Sequence, residues 1–286
     1  METAEQLKEI VKEKYGVIAS QSKSQNESSC CGATAACCGG GDVYSIMADE
    51  YTKLDGYNSD ADLGLGCGLP TQFAKMKEGD TVVDLGSGAG NDAFVARKVV
   101  GDSGKVIGID FTPAMINKAR ENAEKLGFNN IEFRQGDVED MPLTSDKADV
   151  VVSNCVLNLV PNKHKVFSEI YRIMKPGGHF SISDIVLEGF LPEKWKQIAE
   201  LYAGCIAGAI QKNDYLDIIE EAGFKNITLQ KEKEISLPDE VLSEYLSTDE
   251  IAEYKAGKAK IKSITVYADK LAKDDRNCCE PGSGCC

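Results

Sequence analysis

Thr81-Val82-Val83-Asp84-Leu85-Gly86-Ser87-Gly88-Ala89-Gly90-Asn91 reads as a short buried strand running straight into a glycine-rich turn. Glycines at such a turn let backbone amides come close to a bound ligand and let a helix start at once. Asp110 ends the next strand-like run, Lys105-Val106-Ile107-Gly108-Ile109-Asp110, 20 residues after Gly90. A carboxylate there can accept both hydroxyls of a ribose, so the two features together signal an adenosine-bearing ligand. The dinucleotide fingerprint G-x-G-x-x-G is not met, because counting from Gly86 and Gly88 its third position is Asn91. Asp84 points the same way: it would repel a pyrophosphate but suits the amino group and sulfonium of S-adenosylmethionine.

Outward from this turn, buried strands alternate with helices, the mark of a mostly parallel sheet covered on both faces. Ile131-Glu132-Phe133-Arg134 is a third strand, residues 148–153 a fourth and residues 179–183 a fifth, after a turn at Lys175-Pro176-Gly177-Gly178. A short helix is expected over 3–14. Another has Thr112 as N-cap and Pro113 in its first turn, and runs to about Leu126 with Gly127 as its stop. Beyond Asp184 the pattern loosens into helical stretches near 192–211 and over 214–222, then strand-like segments at 226–229 and 263–268. The expected fold is α/β, a doubly wound, mostly parallel, Rossmann-like sheet with a smaller C-terminal α+β domain. The expected divisions are a helix and cysteine-rich arm (1–42), a cofactor-binding domain (43–187), a substrate-binding and accessory domain (188–273) and a cysteine-rich tail (274–286).

Lys and Arg number 32 against 46 Asp and Glu, a net charge of -14, which argues against nucleic acid and anionic membrane surfaces as partners. The opening residues are rich in charge, and no apolar run approaches the roughly 18–20 residues needed to span a bilayer. A cytoplasmic monomer is expected. Eleven cysteines do not fit a secreted disulfide framework when no export signal is evident, whereas reduced, reactive or metalloid-binding thiols do fit. The only histidines, His164 and His179, read as structural.

Three cysteines lie inside the folded part, in Leu65-Gly66-Cys67-Gly68-Leu69-Pro70, in Ser153-Asn154-Cys155-Val156-Leu157-Asn158-Leu159 and in Ala203-Gly204-Cys205-Ile206-Ala207-Gly208. Any one of them taken singly is more often a small buried hydrophobe than a ligand. Cys155 follows the fourth strand directly, at the carboxyl edge where open α/β sheets bind their ligands. Gly136-Asp137-Val138 follows the third strand, where Asp137 can accept from an adenine 6-amino group while Val138 packs on the ring. The arm carries Cys30, Cys31, Cys37 and Cys38, and the tail Cys278, Cys279, Cys285 and Cys286.

Together, residues 65–70, 84–90, 108–115, 153–160 and 175–178 resemble the arsenite S-adenosylmethionine methyltransferases, in the microbial branch of the class I methyltransferases, over about residues 8–225. The most specific piece is Cys155 in its setting, since generic class I methyltransferases usually place no cysteine there. The resemblance implies S-adenosylmethionine as cofactor, held by Asp84, Gly86, Ser87, Gly88, Asp110, Phe111, Met115, Asp137, Val138 and Asn154. It implies arsenite or its thiol conjugates as substrate, with Cys67, Cys155 and Cys205 as the As(III)-binding thiols. It also implies a disulfide relay drawn from Cys30, Cys31, Cys37 and Cys38, reset by thioredoxin or another thiol reductant. The animal enzymes carry Tyr-Tyr-Gly before the first core cysteine, where this chain has Gly64-Leu65-Gly66. Two other readings stay open: a class I methyltransferase for a quinone-like small molecule, and a thiol-rich metalloid-sequestering protein.

Overall fold

Mostly apolar runs make the central strands of this chain, and the computed structural model describes residues 4–21, 26, 50–189, 206, 208–237, 239–243, 246–256 and 259–272. In chain order these form α1 (Ala4–Ala19), α2 (Pro70–Phe73), β1 (Thr81–Leu85), α3 (Asn91–Val100), β2 (Lys105–Asp110), α4 (Pro113–Lys125), β3 (Ile131–Gln135) and β4 (Ala148–Asn154). A 3-10 turn (Leu157–Leu159) then leads into α5 (Lys163–Ile173), β5 (Met174–Glu188), α6 (Lys212–Glu221), β6 (Lys225–Ile235), α7 (Asp239–Ser243), α8 (Thr248–Ala256) and β7 (Lys260–Asp269). The arm cysteines 30, 31, 37 and 38, the core cysteine Cys205, the tail cysteines and most of the helix expected near 192–211 lie outside the described residues. Among the described residues no helix is long and apolar enough to cross a membrane.

The strands form one seven-stranded sheet in the order β3-β2-β1-β4-β5-β7-β6. The first five pair in parallel, and β7 runs antiparallel to both β5 and β6. Side chains alternate across a strand, so Val83 and Leu85 of β1 enter one core with Phe167 and Tyr215, while Val82 enters another with Phe94 and Met115. Helices therefore cover both faces, as expected of a doubly wound sheet. A third core surrounds Cys67 and Cys155 and draws on Val11 of α1, Ile185 and Leu187 of β5, Ile206, and Ile235, Leu242 and Ile261 from the C-terminal part.

The sequence reading placed the first four strands and α4 to within a residue or so. Four elements differ in extent. The Lys175-Pro176-Gly177-Gly178 turn lies inside β5, which begins at Met174, opposite Ala148, and continues to Glu188. β6 and β7 outrun their expected segments, and α1 extends to Ala19. The segment expected as part of a separate C-terminal unit supplies the two strands that complete the sheet. At the start of α4, Thr112 holds the N-cap position without a side-chain cap bond; its N–H instead donates to Asp110 at 2.8 Å.

Candidate active site

The carboxyl ends of β1, β2, β3 and β4 open on one cleft with an empty volume of about 1170 Å³, solvent at its mouth included. Gly86 turns β1 away from this edge with φ +63°, and a β-carbon there would overlap the Val156 side chain. Of the cofactor residues expected from the sequence, Asp84, Gly86, Ser87, Gly88, Asp110, Phe111, Asp137, Val138 and Asn154 line the cleft. Met115 does not line it; it is fully buried in the core beneath Gly88.

Asp110 accepts the Gly88 N–H at 3.0 Å and the Thr112 N–H at 2.8 Å, which aims its carboxylate across the turn. A carboxylate oxygen has two lone pairs, so both oxygens can still accept ribose hydroxyls. Asp137 accepts the Glu139 N–H at 2.8 Å and the Lys8 ammonium at 2.6 Å. An adenine amino group at Asp137, the position expected from the sequence, would share that carboxylate with α1, which also sends Val11 and Tyr15 into the cleft wall. The sequence reading gave α1 no part in the site.

The floor of the cleft concentrates negative charge. Asp84, Asp92 and Asp110 are all buried, and Asp84 Oδ2 has no hydrogen-bond partner. Burial pushes the Asp84 carboxyl well above the usual range, and the neighbouring Asp92 and Asp110 push it further. Burial likewise raises Asp92 to about 6, against the pull of hydrogen bonds from Tyr51, Asn154 and Thr71. Tyr51 Oη donates to Asp92 at 2.8 Å and Thr71 Oγ1 at 3.3 Å. An orphaned carboxylate oxygen among buried like charges fits a cationic ligand group such as an ammonium or a sulfonium. It does not fit a pyrophosphate.

Next to this floor, the sulfurs of Cys67 and Cys155 and a carboxylate oxygen of Asp184 all lie within 4.8 Å of one another, and all three residues are buried. Cys67 sits in the loop before α2. Its N–H donates to Asn154 Oδ1 at 3.0 Å and its carbonyl accepts from Ser263 on β7. Cys155 follows β4 in the left-handed region, with φ +60°, and its N–H donates to the Ser183 carbonyl of β5 at 2.8 Å. A non-glycine residue held at positive φ is uncommon and marks a position fixed by its surroundings. Cys155 also lines the cofactor cleft, so it belongs to both halves of the site.

Asn154 joins those halves. Its Nδ2 donates to the Gly68 carbonyl at 2.8 Å, to Asp92 at 3.2 Å and to Tyr51 Oη, while its Oδ1 holds Cys67 N–H. Gly66 packs against this amide at φ +107°, where a β-carbon would lie 2.8 Å from Nδ2. Asp184 on β5 accepts the Ile185 N–H at 3.0 Å and the Tyr215 hydroxyl at 3.3 Å, and burial raises its carboxyl to about 7. Tyr51, Asp92, Asp184 and Tyr215 were not singled out from the sequence. Asp92 stands two residues after Gly90 and was within reach of the motif, but nothing in the spacing marks it as buried.

A family described as "Methyltransferase domain" matches residues 76–223. The arsenite methyltransferase of Halobacterium salinarum is 38% identical over 281 residues, covering 95% of this chain and 68% of the relative. That of Aquipseudomonas alcaligenes is 34% identical over 272 residues, covering 93% and 72%. The crystal structure of an arsenic(III) S-adenosylmethionine methyltransferase from Chlamydomonas reinhardtii superposes with a TM-score of 0.61 at 33% identity, covering 80% of this chain and 73% of the other. With its sheet, its glycine turn and its two convergent cysteines, this chain belongs to the arsenite methyltransferase family.

Proposed function

We propose that the chain transfers a methyl group from S-adenosylmethionine to trivalent arsenic held by the thiolates of Cys67, Cys155 and Cys205. The observation that carries this reading is the meeting of Cys67 and Cys155, far apart in sequence, at the wall of the cofactor cleft. Ile206, next to Cys205 in the chain, packs in the same apolar cluster as the other two cysteines, which supports a third thiol.

S-adenosylmethionine, when bound, supplies an electrophilic methyl on a sulfonium. Asp84 and Asp92 offer the negative floor for its charged end, Asp110 the acceptor for its ribose, and Asp137 with Val138 the adenine edge. Cys67 and Cys155 take arsenic as substrate: soft thiolates replace its hydroxyls and leave one lone pair on the metalloid. That lone pair is the nucleophile, so no side chain has to remove a proton. The residues supply proximity and orientation. Cys155, shared by the sulfur cluster and the cleft wall, brings the acceptor to the donor.

Methylation formally takes arsenic to the pentavalent state. We assign its return to the trivalent state to two thiols, which give up two electrons and two protons as they form a disulfide. Cys30, Cys31, Cys37 and Cys38 are the candidates, with thioredoxin or another thiol reductant to reset them.

X-ray absorption at arsenic, in the reduced protein loaded with one equivalent of As(III), tests the ligand set. Three sulfur neighbours are expected, with one lost in each of Cys67→Ser, Cys155→Ser and Cys205→Ser. A count unchanged in all three variants would place arsenic elsewhere.

A further inference from the structure

We propose that Cys67, Cys155 and Asp184 form a site for a thiophilic divalent cation of the zinc and cadmium class, which competes with arsenic(III) for the same two sulfurs. Their ligand atoms lie within 4.8 Å of one another in a buried setting. Bonds of about 2.3 Å to sulfur and 2.0–2.2 Å to oxygen bring a tetrahedral ion within reach of all three after a small closure. The backbones are fixed for the purpose: Cys67 by Asn154 and Ser263, Cys155 by Ser183, and Asp184 within the pairing of β5 with β7.

The carboxylate separates the two kinds of ligand. Arsenic(III) bound to thiolates is neutral and satisfied by sulfur, so it has no need of an oxygen donor. A borderline divalent ion takes thiolate and carboxylate together and keeps its positive charge. Asp184 is fully buried, and its donors, the Ile185 and Asn158 N–H groups and the Tyr215 hydroxyl, are neutral groups that leave lone pairs for an ion. Lys163, bonded to the Gly208 carbonyl at 2.9 Å, adds one positive charge nearby. Two thiolates, one carboxylate, one ammonium and a divalent ion sum to zero, the condition a buried cluster favours.

Binding breaks two S–H bonds and, where Asp184 is protonated, its O–H bond, forms two metal–sulfur bonds and one metal–oxygen bond, and releases those protons to solvent. No electron moves, so no reductant is consumed. An ion seated there occupies sulfurs that arsenic needs, and methylation is inhibited competitively with respect to As(III).

Cadmium ion alone is the probe, titrated into the reduced full-length chain with Cys30, Cys31, Cys37, Cys38, Cys278, Cys279, Cys285 and Cys286 changed to serine. Thiolate-to-cadmium charge-transfer absorption reads affinity, and cadmium NMR reads the donor set without altering Asp184. One tightly bound cadmium with a mixed sulfur and oxygen shift is expected. Asp184→Asn should weaken cadmium at least about tenfold more than it weakens As(III). An all-sulfur shift, or equal loss of both ligands in Asp184→Asn, would overturn the proposal, because another thiol would then complete the site. Since the metal is measured by itself, such a failure leaves the arsenic reading standing.

Discussion

Asp84 and Asp92 carry the sharpest consequence at the scale of single residues. Asp92 titrates at about 6 in the folded chain, above the ordinary value of 3.8, and Asp84 is raised as well. Between those pH values the folded state binds more protons than the unfolded state, so the stability of the ligand-free protein falls as pH rises through this window. A cationic ligand prefers the ionised carboxylates, so S-adenosylmethionine should bind more tightly as pH rises from about 4 to about 6. Calorimetric titration across that range checks the trend, and Asp92→Asn should flatten it. An unchanged slope in the variant would remove Asp92 from the charge balance. Part of this site was legible in the sequence and part was not. Asp110 was legible because its distance from the glycine turn is set by one helix and one strand. Asp92 and Asp184 were not, since their significance comes from burial beside groups brought in from Tyr51 and Tyr215. No local pattern records such a meeting.

Among elements, the junction of β4 with the Cys67 loop has most to say about mechanism. Asn154 at the end of β4 bonds to Asp92 on the cofactor side and to the Cys67 N–H on the side of the proposed arsenic site. Such a bridge makes the two binding events interdependent, and the dependence is reciprocal. With wild-type protein, saturating S-adenosylmethionine should raise As(III) affinity at least about fivefold, and As(III) should raise cofactor affinity by the same factor. In Asn154→Ala the factor should collapse toward one; two equal factors in wild type and variant would show that the bridge carries no coupling. The elements also show where a strand reading falls short. β1, β2 and β4 are buried on both faces and read as mostly apolar runs. β6 carries Lys231-Glu232-Lys233-Glu234 and is largely exposed, so its length comes from pairing with β7 and from ion pairs such as Lys262 with Glu232. Those pairings join residues about 30 positions apart. Composition alone hides them.

For the whole molecule, one sheet gathers the site from both ends of the chain: α1 walls the cofactor cleft, and β5, β6 and β7 contribute to the core around the cysteines. The sheet is complete at Asp269, and Lys270 locks its end by donating to the Met174 and Tyr171 carbonyls and pairing with Asp146 at 2.9 Å. Removing residues 274–286 should therefore leave the melting temperature and the kcat for methylation within about twofold of the full chain, because the seven-stranded sheet is complete without them. A fall beyond that would give the tail cysteines a part in turnover. One assay shows where the methyl group goes: reduced protein with As(III) and S-adenosylmethionine, its arsenic species separated by chromatography, and wild type compared with Cys155→Ser. Methylated arsenic from the wild type, and none from a variant that still binds S-adenosylmethionine, is the expected result. Equal methylated product from both would take Cys155, and with it the thiolate site, out of the reaction.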